Sequence, residues 1–419
     1  MNRGNSNQLF QFFIPSSKNY FVLFLLWPFL AFITAMANYS QKEAKKIVYM
    51  FLIYYGFTFV IKSDGYVDAL GYAMRLEANS SLPFSDFFRI VGGLYSDTTV
   101  DIVEPLISFI VSRFTSHHSV YFAVWASIFG YFYLRSINML HERYREQPGW
   151  NALIIMIFFI MVMPITAVSG VRMWTATWIF FYGSCQVIIH RDPRYLLLTL
   201  ASSLVHWSFL TVNVILIIYY IAGNRNVIYL PITLLSFLLP QLMAPVFQSI
   251  SLQAGGALQN RYEGYSSEDY ILGIQESYKS ASWFMGLSDK LIFYYVLLVI
   301  VIMQLRYGSR SNQTIERNMF SFLLLFLSLV NFGRVIPTFG GRFEQVFFLY
   351  ASFYIFLCYY KLPGKKISFP VLIGLFPMAL YSAIMFRLGS ESISAWIFAP
   401  GLGLPLLTPV MSVADLLFK

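Results

Sequence analysis

The sequence predicts an all-α, polytopic integral membrane protein, and three observations carry that reading. Of the 419 residues, 58% are hydrophobic and only 12% charged, against about a quarter charged in a soluble domain. Apolar runs of about 15–21 residues recur along almost the whole chain between short polar loops, as in helices that cross a hydrocarbon core about 30 Å thick. The alternation expected of barrel strands is absent, and helices are the other structure that satisfies its own backbone in lipid.

Taken in order, spans are expected at about 20–38, 47–61, 119–138, 151–165, 173–189, 227–247, 290–306, 319–336, 343–360 and 369–386. The first run is full length, which reads as a span rather than a cleaved leader. Three stretches fit less simply. Residues 102–114 ("IVEPLISFIVSRF") are too short to cross, residues 195–222 are too long for one crossing and short for two, and residues 394–412 are broken by Gly and Pro.

Short basic loops set the orientation. "QKEAKK" (41–46), "HERYRE" (141–146), "HRDPR" (190–194), "RYGSRSNQTIER" (306–317) and "KLPGKK" (361–366) should share the cytoplasmic side. They do so if 195–222 crosses twice, as a hairpin turning at "HWS" (206–208), and if 102–114 is a partial helix. The result is about 12 transmembrane helices, the N-terminus outside, and two long extracytoplasmic loops at about 62–101 and 248–289. The net charge of +9 then reflects loop lysines and arginines. With no basic tail and no nucleic-acid module, no nucleic acid partner is expected. Cys185 and Cys358 lie inside apolar runs and read as small core residues. No His spacing suits a metal, and no cofactor is expected.

The residues able to carry chemistry gather on the outer side. In "KSDGYVDALGY" (62–72), Asp64, Asp68 and Tyr72 recur every four positions, so they share one helical face with Arg75 one turn beyond. Paired carboxylates suit general-base work, while an interfacial helix with a solvated polar face gives the same pattern. Glu104 opens the short apolar segment with Pro105 behind it, a pattern that caps a helix. Arg172 lies at the outer end of a span, against the orientation rule, and suits either snorkelling or an anion site at a helix N-terminus. His206, in "LVHWSFL", is a proton carrier or phosphate ligand in the sharper reading and a satisfied histidine in the plainer one. Arg334, Arg342 and Glu344 flank a tight Pro/Gly turn in "NFGRVIPTFGGRFEQ". Arg261 sits in "QNRYEGY", among aromatic and acidic residues of the kind that hold carbohydrate. Together these describe an outward cavity lined by Arg172, Arg334, Arg342, Arg261 and His206. Such cations are costly near a bilayer unless an anion is bound.

In order and type, these elements resemble the EpsG-type branch of Wzy-like bacterial polysaccharide polymerases, over most of the chain. The carriers are the basic loop "QKEAKK", Asp68–Tyr72 as D-x-x-x-Y, Glu104-Pro105, Arg172 opening a span, "LVHWSFL" with His206 and Ser208, and "GRFEQVFFLY". Lys62 stands where the family opens with Arg, and Gly65 is three rather than two residues before Asp68.

The resemblance implies a GT-C-like glycosyltransferase in the bacterial inner membrane, its active site facing the periplasm. It would join undecaprenyl-pyrophosphate-linked oligosaccharide units, which act as both donor and acceptor, to build O-antigen or capsule. A chain-length regulator and a flippase would be partners beside the lipid bilayer. Asp68, Asp64 or Glu104 would accept the proton of the attacking hydroxyl. Arg172, Arg342, His206 and Arg334 would stabilise the departing pyrophosphate, and Tyr72 would orient sugars. An O-antigen ligase or a lipid-linked oligosaccharide flippase are the alternatives. The long outer loops and charges at span ends favour an enzyme over a transporter, whose site is expected near the midplane.

Overall fold

A computed structural model describes residues 17–61, 68–87, 101–280, 282–307, 314–361, 366–404, 408 and 411–418. Among them there is no strand, only an isolated bridge between Ser394 and Ser412. The expected first span is two helices, α1 (Ser17–Leu26) and α2 (Pro28–Ala37). Pro28 sits at the first position of α2, where its missing N–H costs least, and the break falls at Trp27. The Trp27 indole is anchored by donating to the Phe398 carbonyl at 2.8 Å.

Next come α3 (Lys42–Phe57), α4 (Asp68–Ser80), α5 (Val103–Ser112) and α6 (His118–Glu146). As expected, α5 is too short to cross. The 29-residue α6 starts where the His117 imidazole accepts from the Ser119 N–H, a side-chain cap. The chain continues as α7 (Trp150–Val162), a 3-10 turn at Ile165–Ser169, and α8 (Val171–His190). Arg191, with φ of 56°, ends α8 in the left-handed region. The stretch 195–222 is the expected hairpin: α9 (Arg194–Val205) and α10 (Phe209–Ala222) meet at His206-Trp207-Ser208.

The expected span 227–247 is instead broken. α11 (Asn226–Leu238) and the following helical stretch from Pro240, which includes α12 (Ala244–Ala254), are bent by 102°. Pro240 cannot donate back to the preceding turn, so the helix stops there. The expected outer loop 248–289 is largely helical as well: α13 (Gly256–Ser266), α14 (Glu268–Ser280) and the start of α15 (Trp283–Tyr307) fill it. The remaining helices are α16 (Thr314–Gly333), α17 (Pro337–Tyr359), α18 (Phe369–Gly389) and the terminal α19 (Val413–Phe418). The region 394–412 holds a 3-10 turn at Ala395–Phe398 rather than a long helix among its described residues.

Among the described residues five helices are long and apolar enough to cross a membrane, or six if the bent pair counts as one. The expected count of twelve is not reached by this measure: it includes helices shorter than a full crossing, and also α8 and α17, which are long but not among the five. Large side chains stay exposed on the outside of the bundle, Leu197 at 73%, Ile221 at 79% and Val227 at 89%. Such a surface would be a liability in water and suits acyl chains.

Inside, helices touch through small residues and interlocked rings. α3 crosses α6 at Gly56, where a Cβ would come within 2.6 Å of the Phe122 carbonyl oxygen, so close approach there requires glycine. Trp178 on α8 meets Tyr133 at 4.9 Å, and Phe181 meets Tyr350 at 4.8 Å between ring centroids. Cys185 and Cys358 are free and buried, as expected. This packing brings together α8 and α17, which carry Arg172 and Arg342.

Candidate functional site

The site forms at the end of α6 and α8 away from the basic segments 141–146 and 190–194. Its organising residue is Asp101, which sequence reasoning misses. Asp101 is 2% exposed and sits just before α5, where the Ile102 N–H donates to the Leu204 carbonyl at 3.0 Å. That bond ties the segment to the α9–α10 turn. The Asp101 carboxylate accepts from the Arg172 guanidinium at 2.8 Å, from the Trp207 N–H at 2.8 Å, and faces His206 Nδ1 at 3.2 Å. A carboxylate can only accept here, so Nδ1 carries the hydrogen and Nε2 keeps its lone pair. Nε2 has no hydrogen-bond partner among the described residues.

Charge on this cluster follows from its contacts. Burial would raise the Asp101 carboxyl, but the His206 hydrogen bond and the Arg172 charge hold it well below the usual carboxylate range. His206 is pushed the other way, below its ordinary value. Burial, the largest effect, disfavours the imidazolium and, helped by the Arg172 and Arg342 charges, outweighs what the Asp101 hydrogen bond and charge give back. The resting pair is therefore an ionised Asp101 and a neutral His206.

Arg172 has a second partner. Its Nε donates to the Tyr72 hydroxyl at 2.9 Å. Burial raises the Tyr72 phenol above its ordinary value, so it stays protonated. Behind Tyr72 lies a second ion pair. Glu104, 1% exposed, accepts from Arg75 and from the Tyr121 hydroxyl, the latter at 3.0 Å. Glu104 lies in the first turn of α5, as its sequence pattern suggests, but pairs with α4 and α6 rather than capping its own helix. The α4–α5 contact is pinned further: Asn79 donates to Ser108 at 3.0 Å, and Arg113 donates to the Asn79 and Leu82 carbonyls. Arg75 and Arg172 lie 5.9 and 5.6 Å from the Tyr72 ring centroid, so one tyrosine joins the two pairs.

The structure thus brings together Tyr72, Arg75, Glu104, Arg172 and His206 from the expected set. Asp68 is the exposed first residue of α4, four residues before Tyr72, and forms no ion pair among the described residues. Asp64 and the side chain of Arg261 lie outside what is described. Arg334 turns away from the cluster. It pairs with Glu344 at 2.7 Å and lies 4.6 Å from the Phe293 ring centroid, so these two satisfy each other instead of facing the proposed anion.

Arg342 is different. No carboxylate pairs with it among the described residues, and it lines a cavity of about 410 Å³ with Met173, His206, Ser208, Tyr262 and Phe339. The walls are mostly apolar, with α12 and α13 closing one side. The size matches a small-molecule or lipid-headgroup site, for which roughly 300–1,000 Å³ is usual. Arg172 and Arg75 are neutralised by Asp101 and Glu104, whereas Arg342, with no carboxylate partner among the described residues, stands as a positive charge beside the neutral His206. Among the described residues no group of three or more His, Cys, Asp or Glu side chains could hold a metal. The local signal for Asp101 is the D-x-x-E spacing of Asp101 and Glu104, which reads as a helix cap. Its real partners lie 71 and 105 residues away.

Residues 47–397 match the model of the EpsG family, so the chain belongs to that family, a Wzy-like polymerase type of membrane protein. No curated protein and no solved structure matches it.

Proposed function

We propose that this EpsG-family chain is a glycosyltransferase of the bacterial inner membrane that polymerises undecaprenyl-pyrophosphate-linked oligosaccharide units at its periplasmic face. The observation that carries the reading is Arg342, unpaired among the described residues, beside His206 in a largely apolar cavity. A cation without a counter-ion at the membrane suits an anionic lipid headgroup, and the apolar walls suit the isoprenoid stem.

In this reading the acceptor hydroxyl attacks C1 of the donor's reducing-end sugar. The new bond is C1–O to the acceptor, and the bond to the pyrophosphate oxygen breaks with its electron pair. His206 Nε2 accepts the hydroxyl proton, because Asp101 fixes the tautomer that leaves Nε2 basic. The expected carboxylate bases, Asp68 and Glu104, suit the task less: Asp68 is exposed and Glu104 already accepts from two donors. Arg342 stabilises the charge that grows on the departing pyrophosphate, an electrostatic role that needs no metal. Arg172 holds Asp101 and Tyr72 in place.

Deletion and complementation test this. Removing the gene should collapse a ladder of long surface polysaccharide to core plus one repeat unit, and Arg342→Ala should fail to restore the ladder. Loss of every repeat unit would point to a ligase or a flippase instead, and an unchanged ladder would remove the polymerase reading.

A further inference from the structure

A second cavity, of about 280 Å³, lies beside the first and is not used by the cluster above. It is lined by Phe59, Ser169, Trp174, Gln345, Leu388 and Glu391, among others. The two cavities share the same pair of helices. On α8, Met173 lines the first and Trp174 the second; on α17, Arg342 lines the first and Gln345 the second. Successive helical positions differ by about 100°, so adjacent residues can face different spaces. Arg172 immediately precedes both α8 residues. One wall is set by a close approach of α18 to the 3-10 turn at Ile165–Ser169: a Cβ at Gly389 would meet Thr166 within 2.7 Å of its Cβ.

The chemistry of this second space differs from the first. Among the described residues no lysine or arginine lines it, so it offers a phosphate no cation. Its carboxylate, Glu391, is held by Arg387 at 2.9 Å through one oxygen. The Gln345 amide and the Trp174 indole N–H make no hydrogen bond among the described residues, although both line the space. An aromatic face, a free amide, a carboxylate oxygen and the Ser169 hydroxyl are what an uncharged sugar ring uses: apolar C–H faces stack, and hydroxyls pair with amide and carboxylate groups. The volume is near the lower end of small-molecule sites, which begin at roughly 300 Å³.

We propose that this second cavity is a subsite for an uncharged pyranose of the lipid-linked saccharide, with Trp174 as its platform and Gln345 as its hydrogen-bonding group. The inference rests on the polymerase reading, in which lipid-linked saccharides are the substrates. It divides the recognition: pyrophosphate at Arg342, sugar at Trp174 and Gln345.

The test uses the full-length protein in lipid nanodiscs and two probes, undecaprenyl pyrophosphate alone and the lipid-linked repeat unit extracted from the deletion strain. Trp174→Ala and Gln345→Ala should weaken binding of the repeat unit at least tenfold while leaving undecaprenyl pyrophosphate within twofold. Trp174→Phe, which keeps a stacking ring, should recover most of the loss. Thermal unfolding of each variant checks that the fold is retained, and Gln345→Leu removes the amide at similar volume if Gln345→Ala is unstable. Repeat-unit binding unchanged in all Trp174 and Gln345 variants overturns the subsite and leaves the function standing. Equal loss of both probes overturns it too, because the cavity would then serve the lipid or pyrophosphate. Failure of wild-type protein to bind either probe removes the polymerase reading, and this inference with it.

Discussion

Asp101→Asn is the most informative single change, because it alters charge and tautomer while keeping shape. The asparagine oxygen can still accept from the Trp207 N–H, now 2.8 Å away. Its amide nitrogen must then face the Arg172 guanidinium or His206 Nδ1, and both are donors today. If it donates to Nδ1, the imidazole hydrogen moves to Nε2 and the base is lost. A positioning carboxylate removed in this way from a Ser-His-Asp triad lowers turnover about 10⁴-fold, the reference case for a wrong tautomer. Removing one partner of a buried ion pair also costs about 3–5 kcal/mol of stability. Arg172 is 25% exposed at its side chain, so water reaches it and the lower end of that range applies. The expected result is a polymerisation rate down by roughly 10²–10⁴, or about 3–5 kcal/mol of barrier, with a destabilisation of about 3 kcal/mol. The assay is chain growth by purified protein in proteoliposomes fed lipid-linked repeat unit, with thermal unfolding beside it. Wild-type turnover in a folded Asp101→Asn protein would refute the whole account of His206 as base.

Five further outcomes are expected. The rate should hold as pH falls from neutral to about 6.5, the ordinary value for histidine, and drop only below it, because burial and the neighbouring arginines depress the His206 pKa. The same sign applies to stability: His206 contributes fully above about 6.5 and loses its contribution as pH falls through its lower folded value, read by unfolding temperature across pH. Arg342→Ala should weaken undecaprenyl pyrophosphate binding roughly 10- to 100-fold, as expected for one charge-assisted contact worth about 1.5–3 kcal/mol; Arg342→Lys should recover part of it. Asp68→Asn should keep most of the polymer ladder, since its carboxylate is exposed and unpaired among the described residues; a lost ladder with normal expression would restore Asp68 as the base. Gly56→Val should lower the unfolding temperature through overpacking of about 1–3 kcal/mol against Phe122 and Ala126, with polymer chemistry affected only through protein level.

The sequence by itself determined the class of molecule and much of its layout. Long apolar runs with few charges can only be buried in lipid or in each other. The hairpin turning at His206-Trp207-Ser208 and the short helix behind Glu104 followed from run length and charge placement. Arg172, His206 and Arg342 stood out locally because cations at span ends need a reason. The breaks at Trp27 and Leu239 were less legible: Pro28 and Pro240 were visible, but whether a proline starts, kinks or stops a helix depends on what its neighbours pack against.

What only the tertiary structure decided is the pairing. Asp101 lies in an unremarkable stretch, and its importance comes from Arg172 and His206, which two other segments deliver across many residues of chain. Glu104 reads locally as a cap, yet Arg75 and Tyr121 use it as an ion-pair and hydrogen-bond partner. Arg334 and Arg342 look equivalent in sequence, eight residues apart on one turn. Only the fold gives Arg334 to Glu344 and leaves Arg342, beside the cavity, without a carboxylate partner among the described residues. The physical reason is common to all three: charge alone says that a side chain must be compensated, and the fold decides by what.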